Sequence, residues 1–182
     1  MAFVSKRGPI RWPGSGPADQ ETSLRDRSAF DWVRVADPQV AALGWHHGGQ
    51  FGTAEEAKAM LLRAVAAVKA DKAKALEMFN KGEGGFLDRD LYPFCSNISD
   101  GKILAVYNPN AKQIIGQDGR TLKDSTGKAF GLEQYAAANK PEGELTEVSY
   151  LFPKPGADPT PVPKVSFTTK VGDLICGVGY YK

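Results

Sequence analysis

A change of character at residue 53 constrains this chain more than any other feature. Residues 1–52 carry four Pro and seven Gly, whereas residues 53–80 carry neither, and nine of those 28 are Ala. Gly and Pro break regular backbone and Ala favours helix, so a breaker-rich appendage gives way abruptly to helix. Thr53 followed by Glu56 fits a capping box, in which hydroxyl and carboxylate each satisfy a free amide at the helix start. Leu61, Ala64, Val65 and Val68 repeat at helical spacing, and Ala75, Leu76 and Phe79 resume it. The polar stretch Lys69–Lys74 between them is where the helix bends or breaks. The apolar stripe is too short for sustained heptads, which favours a helix laid on a core over a coiled coil. The same helix is the surface on offer for a homodimer.

The appendage holds little recognisable chemistry. A short helix around Asp31–Leu43 is interrupted by Pro38, and His46-His47 is at best half of a metal site without a third ligand. No basic start followed by an apolar core marks a secretory signal in residues 1–52. No window approaches the ~18 apolar residues of a membrane span. Six Lys/Arg and five Asp/Glu fall in residues 1–52, and the whole chain carries 23 against 21. That balance excludes nucleic-acid binding carried by charge.

Beyond residue 80 the pattern turns to strands. Lys81–Gly85 is turn-forming, Leu91–Asn97 reads as a strand, and Asp100-Gly101 signals a hairpin back into Ile103–Tyr107. Asn108-Pro109 ends that strand. Gln117–Lys128 is a polar loop and Leu132–Asn139 a short helix stopped by Pro141. Leu145–Phe152 alternates, with Val148, Tyr150 and Phe152 on one face. Five prolines in Pro153–Pro163 predict a stiff exposed connection and no strand. Val165–Val171 and Leu174–Tyr181 are two more strands joined at Gly172-Asp173. The expected fold is α+β: a PAS-like five-stranded antiparallel sheet, the long N-terminal helix on one face, a loop plus short helix over the other.

Catalytic motifs are missing. No phosphate cradle, GxSxG, HExxH, EF-hand or Walker pattern occurs, so no cofactor is expected. Gly177-Val178-Gly179 lies in the last strand and reads as close strand packing. Two cysteines 81 positions apart cannot form a thiolate zinc site. Asp88 and Asp90 flank Arg89, and a structural salt-bridge corner is favoured over an acid–base pair, which remains the route to an enzyme. An aromatic platform for single-stranded nucleic acid would need surrounding Lys/Arg in excess, which is absent.

Several runs in fixed order now carry a resemblance: "FLDRDLYPF", "SDGKILA", "NPN", "GRTLKDSTGKAF", "EVSYLFPKPG" and "PVPKVSFTTKVGDLICGVGYYK". Residues 53–182 resemble a Cache domain, and more narrowly the single-Cache second subfamily of extracytoplasmic PAS-like sensors. The resemblance implies a single ligand-binding domain there, without enzymatic activity, in a bacterial chemotaxis, signalling or periplasmic system. It also implies a small carboxylate as partner. Members often read "LAHPNP" after the first hairpin, whereas Val106 and Tyr107 stand here in place of the His-Pro pair. Strand parity puts Tyr92, Phe94 and Ser96 on one face, Tyr150 and Phe152 on another, and Lys164, Ser166 and Thr168 on a third. If these converge they offer an ammonium, hydroxyls and an aromatic wall. Together with Tyr107, residues Tyr92, Phe94, Ser96, Tyr150, Phe152, Lys164 and Ser166 are the candidate ligand site. The alternative leaves Lys164 in solvent and the domain a structural module without ligand. First and last strands neighbour each other in PAS-like sheets, which would bring Cys95 and Cys176 together. Exported, they could form a disulfide; otherwise they are two buried thiols.

Overall fold

The structure is a computed structural model that describes residues 50–182. The appendage helix around Asp31–Leu43 and the His46-His47 pair lie outside the described residues.

Helix α1 spans Ala54–Ala70 and α2 spans Lys72–Lys81. Both partners of the Thr53–Glu56 capping box are in place, at 3.2 and 2.8 Å. The expected break falls on Asp71, whose extended backbone ends α1 while its carboxylate accepts the Lys74 N–H to start α2. Five strands follow: β1 (Pro93–Asn97), β2 (Ile103–Val106), β3 (Thr146–Pro153), β4 (Pro161–Val171) and β5 (Leu174–Tyr181). They form one antiparallel sheet in the order β2-β1-β5-β4-β3. Gly101 turns the β1–β2 hairpin with φ 77, the left-handed region that Gly reaches without strain. The short helix α3 runs from Phe130 to Tyr135, two residues earlier than expected, and continues as a 3₁₀ turn over Ala136–Asn139.

The proline-rich connection is shorter than its composition predicts. β3 runs on to Pro153 and β4 begins at Pro161, so Pro153, Pro161 and Pro163 are strand residues. The ladder between β4 and β5 starts at Lys164, while Pro161 and Pro163 pair with β3. A missing N–H costs little where a strand has a ladder on one side only.

The two faces of the sheet are closed differently. Cys95, Phe167, Val171, Leu174, Cys176 and Val178 join α1 and α2 in one apolar core, with Ala57, Leu61, Ala64 and Phe79 fully buried on the helix side. Cys95 pairs with Cys176 directly across β1 and β5, with Cα atoms 4.1 Å apart, and the two are disulfide-bonded. The other face is covered by α3 and by 3₁₀ turns at Pro109–Ile114 and Gly119–Thr121.

Candidate functional site

A cavity lies between that second face and its cover. It offers about 50 Å³ to water centres, room for a ligand of about three to five heavy atoms. Tyr92, Phe94 and Ser96 line it from β1 and its approach, Tyr150 and Phe152 from β3, and Lys164 from β4. Six of the eight candidates therefore share one cavity. Ser166 stands behind it, fully buried, its hydroxyl 2.7 Å from that of Tyr150. Tyr107 does not line it. Its ring packs 6.4 Å from that of Tyr92, on the side facing Gly82.

On the cavity side the central strand has two bare positions, over which cavity-lining side chains lie. Ile175, Gly177, Gly179 and Tyr181 share the cavity face of β5. A Cβ at Gly177 would stand 2.5 Å from the Phe94 ring, and one at Gly179 would stand 2.4 Å from Lys164 Cε. The lysine stem thus lies across naked backbone. Registers place Tyr150, Lys164 and Tyr181 in one row over three strands.

Lys164 is 2% exposed. Its Nζ donates to Tyr92 Oη at 2.9 Å and sits 4.5, 4.7 and 5.2 Å from the ring centres of Tyr92, Tyr181 and Phe152. Burial lowers its pKa to about 7, and the charge of Asp90 opposes that fall. Burial also pushes the Tyr92 and Tyr181 hydroxyls well above the usual phenol range, and that of Tyr150 up to about 12. All three remain neutral hydrogen-bonding groups at ordinary pH.

Cover and sheet are fastened by polar contacts. Asn108, fully buried, donates to Tyr92 Oη at 3.2 Å and to the Pro153 carbonyl at 2.9 Å. Asp124 accepts from Thr126 and Lys128 in its own loop and from the Leu151 N–H of edge strand β3. These contacts, that with Thr126 first, pull its pKa to about 2. From the cover come Ile114, Leu122, Phe130, Gln134 and Tyr135. Phe130 stacks on Tyr150 with ring centres 4.2 Å apart. Sequence reasoning missed these cover residues. The helical spacing of Phe130 and Gln134 is a usable signal, although nothing local tells which face of so short a helix turns inward.

Asp88 and Asp90 do not converge. Arg89 sits at φ 55 in a tight turn and grips Asp88 through two nitrogens, Glu56 at 2.8 Å and the Phe51 carbonyl at 3.0 Å. Asp90 turns inward and accepts the Gly52 N–H at 2.6 Å. Among the described residues lining the cavity none is Asp, Glu, His or Cys, and no three such side chains cluster as a metal site anywhere in the described part. No helix among the described residues is long and apolar enough to cross a membrane.

A PAS-like sheet with helices packed on one face and a small cavity under a loop-and-helix cover on the other defines a sensor-type α+β domain. The chain belongs to the Single Cache domain 2 family, whose model matches residues 52–181. Among solved structures it is similar to a methyl-accepting chemotaxis protein from Vibrio parahaemolyticus RIMD 2210633, with 22% identity and TM-score 0.55 over 70% of this chain and 86% of that one. A periplasmic sensor domain of a chemotaxis protein is 25% identical, with TM-score 0.52 over 70% and 88%. A Cache chemosensory domain solved for carboxylic acid recognition is 26% identical over 70% and 86%, but its TM-score of 0.49 is too low to bear on the ligand here. No curated protein matches the chain.

Proposed function

We propose that this domain is a non-enzymatic sensor module that holds a small organic acid in the cavity, with Lys164 facing the carboxylate. The observation that carries the reading is a buried ammonium in a ligand-sized cavity without a carboxylate in its lining. Burying a cation is costly, and an incoming anion offsets that cost in the bound state alone. Tyr92, Ser96 and Gln134 supply polar groups, and Phe94, Phe130, Tyr150 and Phe152 an apolar wall. The volume fits an acid of two or three carbons. Extracytoplasmic action, as in the periplasmic relative, is part of the proposal, and the Cys95–Cys176 bond supports it because such bonds persist in oxidising compartments.

A thermal-shift screen of two- to five-carbon acids, amines and amino acids tests this. An acid at 100 times its Kd should raise Tm by roughly 5–10 °C. Above about pH 7, where Lys164 loses its proton, affinity should fall about tenfold per pH unit. A hit that survives Lys164→Ala unchanged removes Lys164 from the site. No shift with any compound leaves a structural module as the better reading, and turnover of a hit by the folded protein would restore the enzyme reading.

A further inference from the structure

The run Asn108-Pro109-Asn110 holds a buried amide whose role goes beyond fastening cover to sheet. Asn108 is fully buried and stands outside the cavity lining. Its Oδ1 accepts the Asn110 N–H at 3.0 Å, and its Nδ2 donates to the Pro153 carbonyl at 2.9 Å and to Tyr92 Oη at 3.2 Å. A backbone N–H at one end and a backbone carbonyl at the other fix which way the amide faces, so toward Tyr92 it can only donate. Asn110 steadies the same segment by donating to the Lys154 and Gly156 carbonyls at 2.9 and 3.0 Å. From the other side Lys164 Nζ donates to Tyr92 Oη at 2.9 Å, and an ammonium has no lone pair with which to accept. Tyr181 commits its own proton to the Pro153 carbonyl at 2.6 Å.

We propose that Asn108 is a positioning residue that commits the Tyr92 hydroxyl to give its proton to the ligand, so that Tyr92 Oη and Lys164 Nζ act as paired donors and the cavity takes a group that accepts from both. The inference rests on reading the cavity as an acid site and adds how that site tells an acceptor from a donor. A count of lone pairs and protons supports it. A phenol oxygen has two lone pairs and one proton. Asn108 and Lys164 engage the two lone pairs, which leaves the proton to be given away. Tyr92 and Lys164 line the cavity, whereas Asn108 and Tyr181 do not. A hydroxyl ordinarily gives or takes a hydrogen bond as its partner requires. The fixed amide removes that freedom before a ligand arrives, and a donor oriented in advance costs less to engage. A carboxylate can accept from both groups; an ammonium can accept from neither.

Calorimetric titration of the full chain with acetate and propionate at pH 6, where Lys164 carries its proton, tests this. Tyr92→Phe removes the proton and keeps the ring. It should weaken binding roughly thirtyfold, the scale of a hydrogen bond to a charged group. Asn108→Ala frees one lone pair of Tyr92, so in that background Tyr92→Phe should cost only about threefold. Unchanged affinity in Tyr92→Phe overturns the proposal. So do losses that simply multiply in the double variant, the result a merely structural Asn108 would give. A second measurement needs no ligand. Tyrosines are labelled with ¹³C at Cζ, and Tyr92 is assigned by its loss in Tyr92→Phe. Its Cζ resonance responds to hydrogen bonds at the oxygen and should move in Asn108→Ala; a resonance that stays overturns the proposal. Where Asn108→Ala does not fold, Asn108→Ser replaces it with the same outcomes, since Ser still caps the 3₁₀ turn but is too short to reach Tyr92. A Cζ resonance that moves, with neither acid binding wild type, would retain the committed phenol donor and reject the acid as its ligand.

Discussion

The two faces of this sheet are made by alternate residues of the same strands, yet they end as opposite kinds of surface. Toward α1 and α2, Cys95, Phe167, Cys176 and Val178 meet Leu61, Ala64 and Phe79 in one apolar core. Toward α3, Lys164, Ser166 and Thr168 from β4 are all buried, and Gly177 and Gly179 withhold side chains from the middle of the sheet. One face is packed for stability. The other carries a buried charge, three buried phenols and empty space, each of which costs stability and none of which a mere scaffold requires. On the proposed reading the ligand site lies where the cover is loop and short helix, while the long helices hold the frame.

If stability and binding are divided this way, substitutions on the two faces should separate them. Phe79, fully buried and edge-on to Phe86 at 4.7 Å, should cost about 4 kcal/mol as Phe79→Ala in urea unfolding. The thermal response to a bound acid should persist; its loss in a folded variant would show that the helix face shapes the site. Replacing both Cys95 and Cys176 by Ala should cost roughly 3 kcal/mol, since their bond closes a long loop of the unfolded chain. Acid affinity should hardly change, because both sulfurs face the helices.

Lys164 sharpens the comparison through pH. Its folded pKa of about 7 lies below the ordinary 10.5, so between those values the unfolded chain binds one more proton. Stability should therefore rise from pH 7 to pH 10 by about 3 kcal/mol on this account, with the full cost of burial standing below pH 7. Lys164→Met should abolish that rise; the same slope in both proteins would refute a buried, depressed lysine. The smallest effect on stability belongs to Gly179→Ala. The new methyl would meet Lys164 Cε at 2.4 Å, Ser166 Oγ at 2.6 Å and the Val165 carbonyl at 3.1 Å, costing about 2 kcal/mol, while acid binding weakens at least tenfold. Unimpaired binding would mean that the lysine end has another place to lie.

Much of the frame was legible because its signals are local. The capping box at Thr53, the break near Asp71, the turn at Gly101 and the alternation through Val148, Tyr150 and Phe152 each depend on a few neighbouring residues. The prolines misled because their cost depends on whether a ladder lies on both sides of the strand, and that is a property of the assembled sheet. The lining of the cavity was legible in part. Parity grouped Tyr92 with Phe94 and Ser96, and Lys164 with Ser166, but Tyr107 and the cover residues fell outside that logic.

What the sequence determined by itself is the set of elements, their order and the grouping of residues by face, since backbone periodicity and capping chemistry act over a few residues. Only the tertiary structure decided which face received the helices, that Lys164 turns inward over Gly179, that Cys95 meets Cys176, and that Asp90 reaches back to Gly52. Those outcomes join residues 38 to 81 positions apart, or settle between two faces that parity leaves equivalent. They depend on which buried surfaces fit, and that is fixed only when the whole sheet and both of its covers are in place.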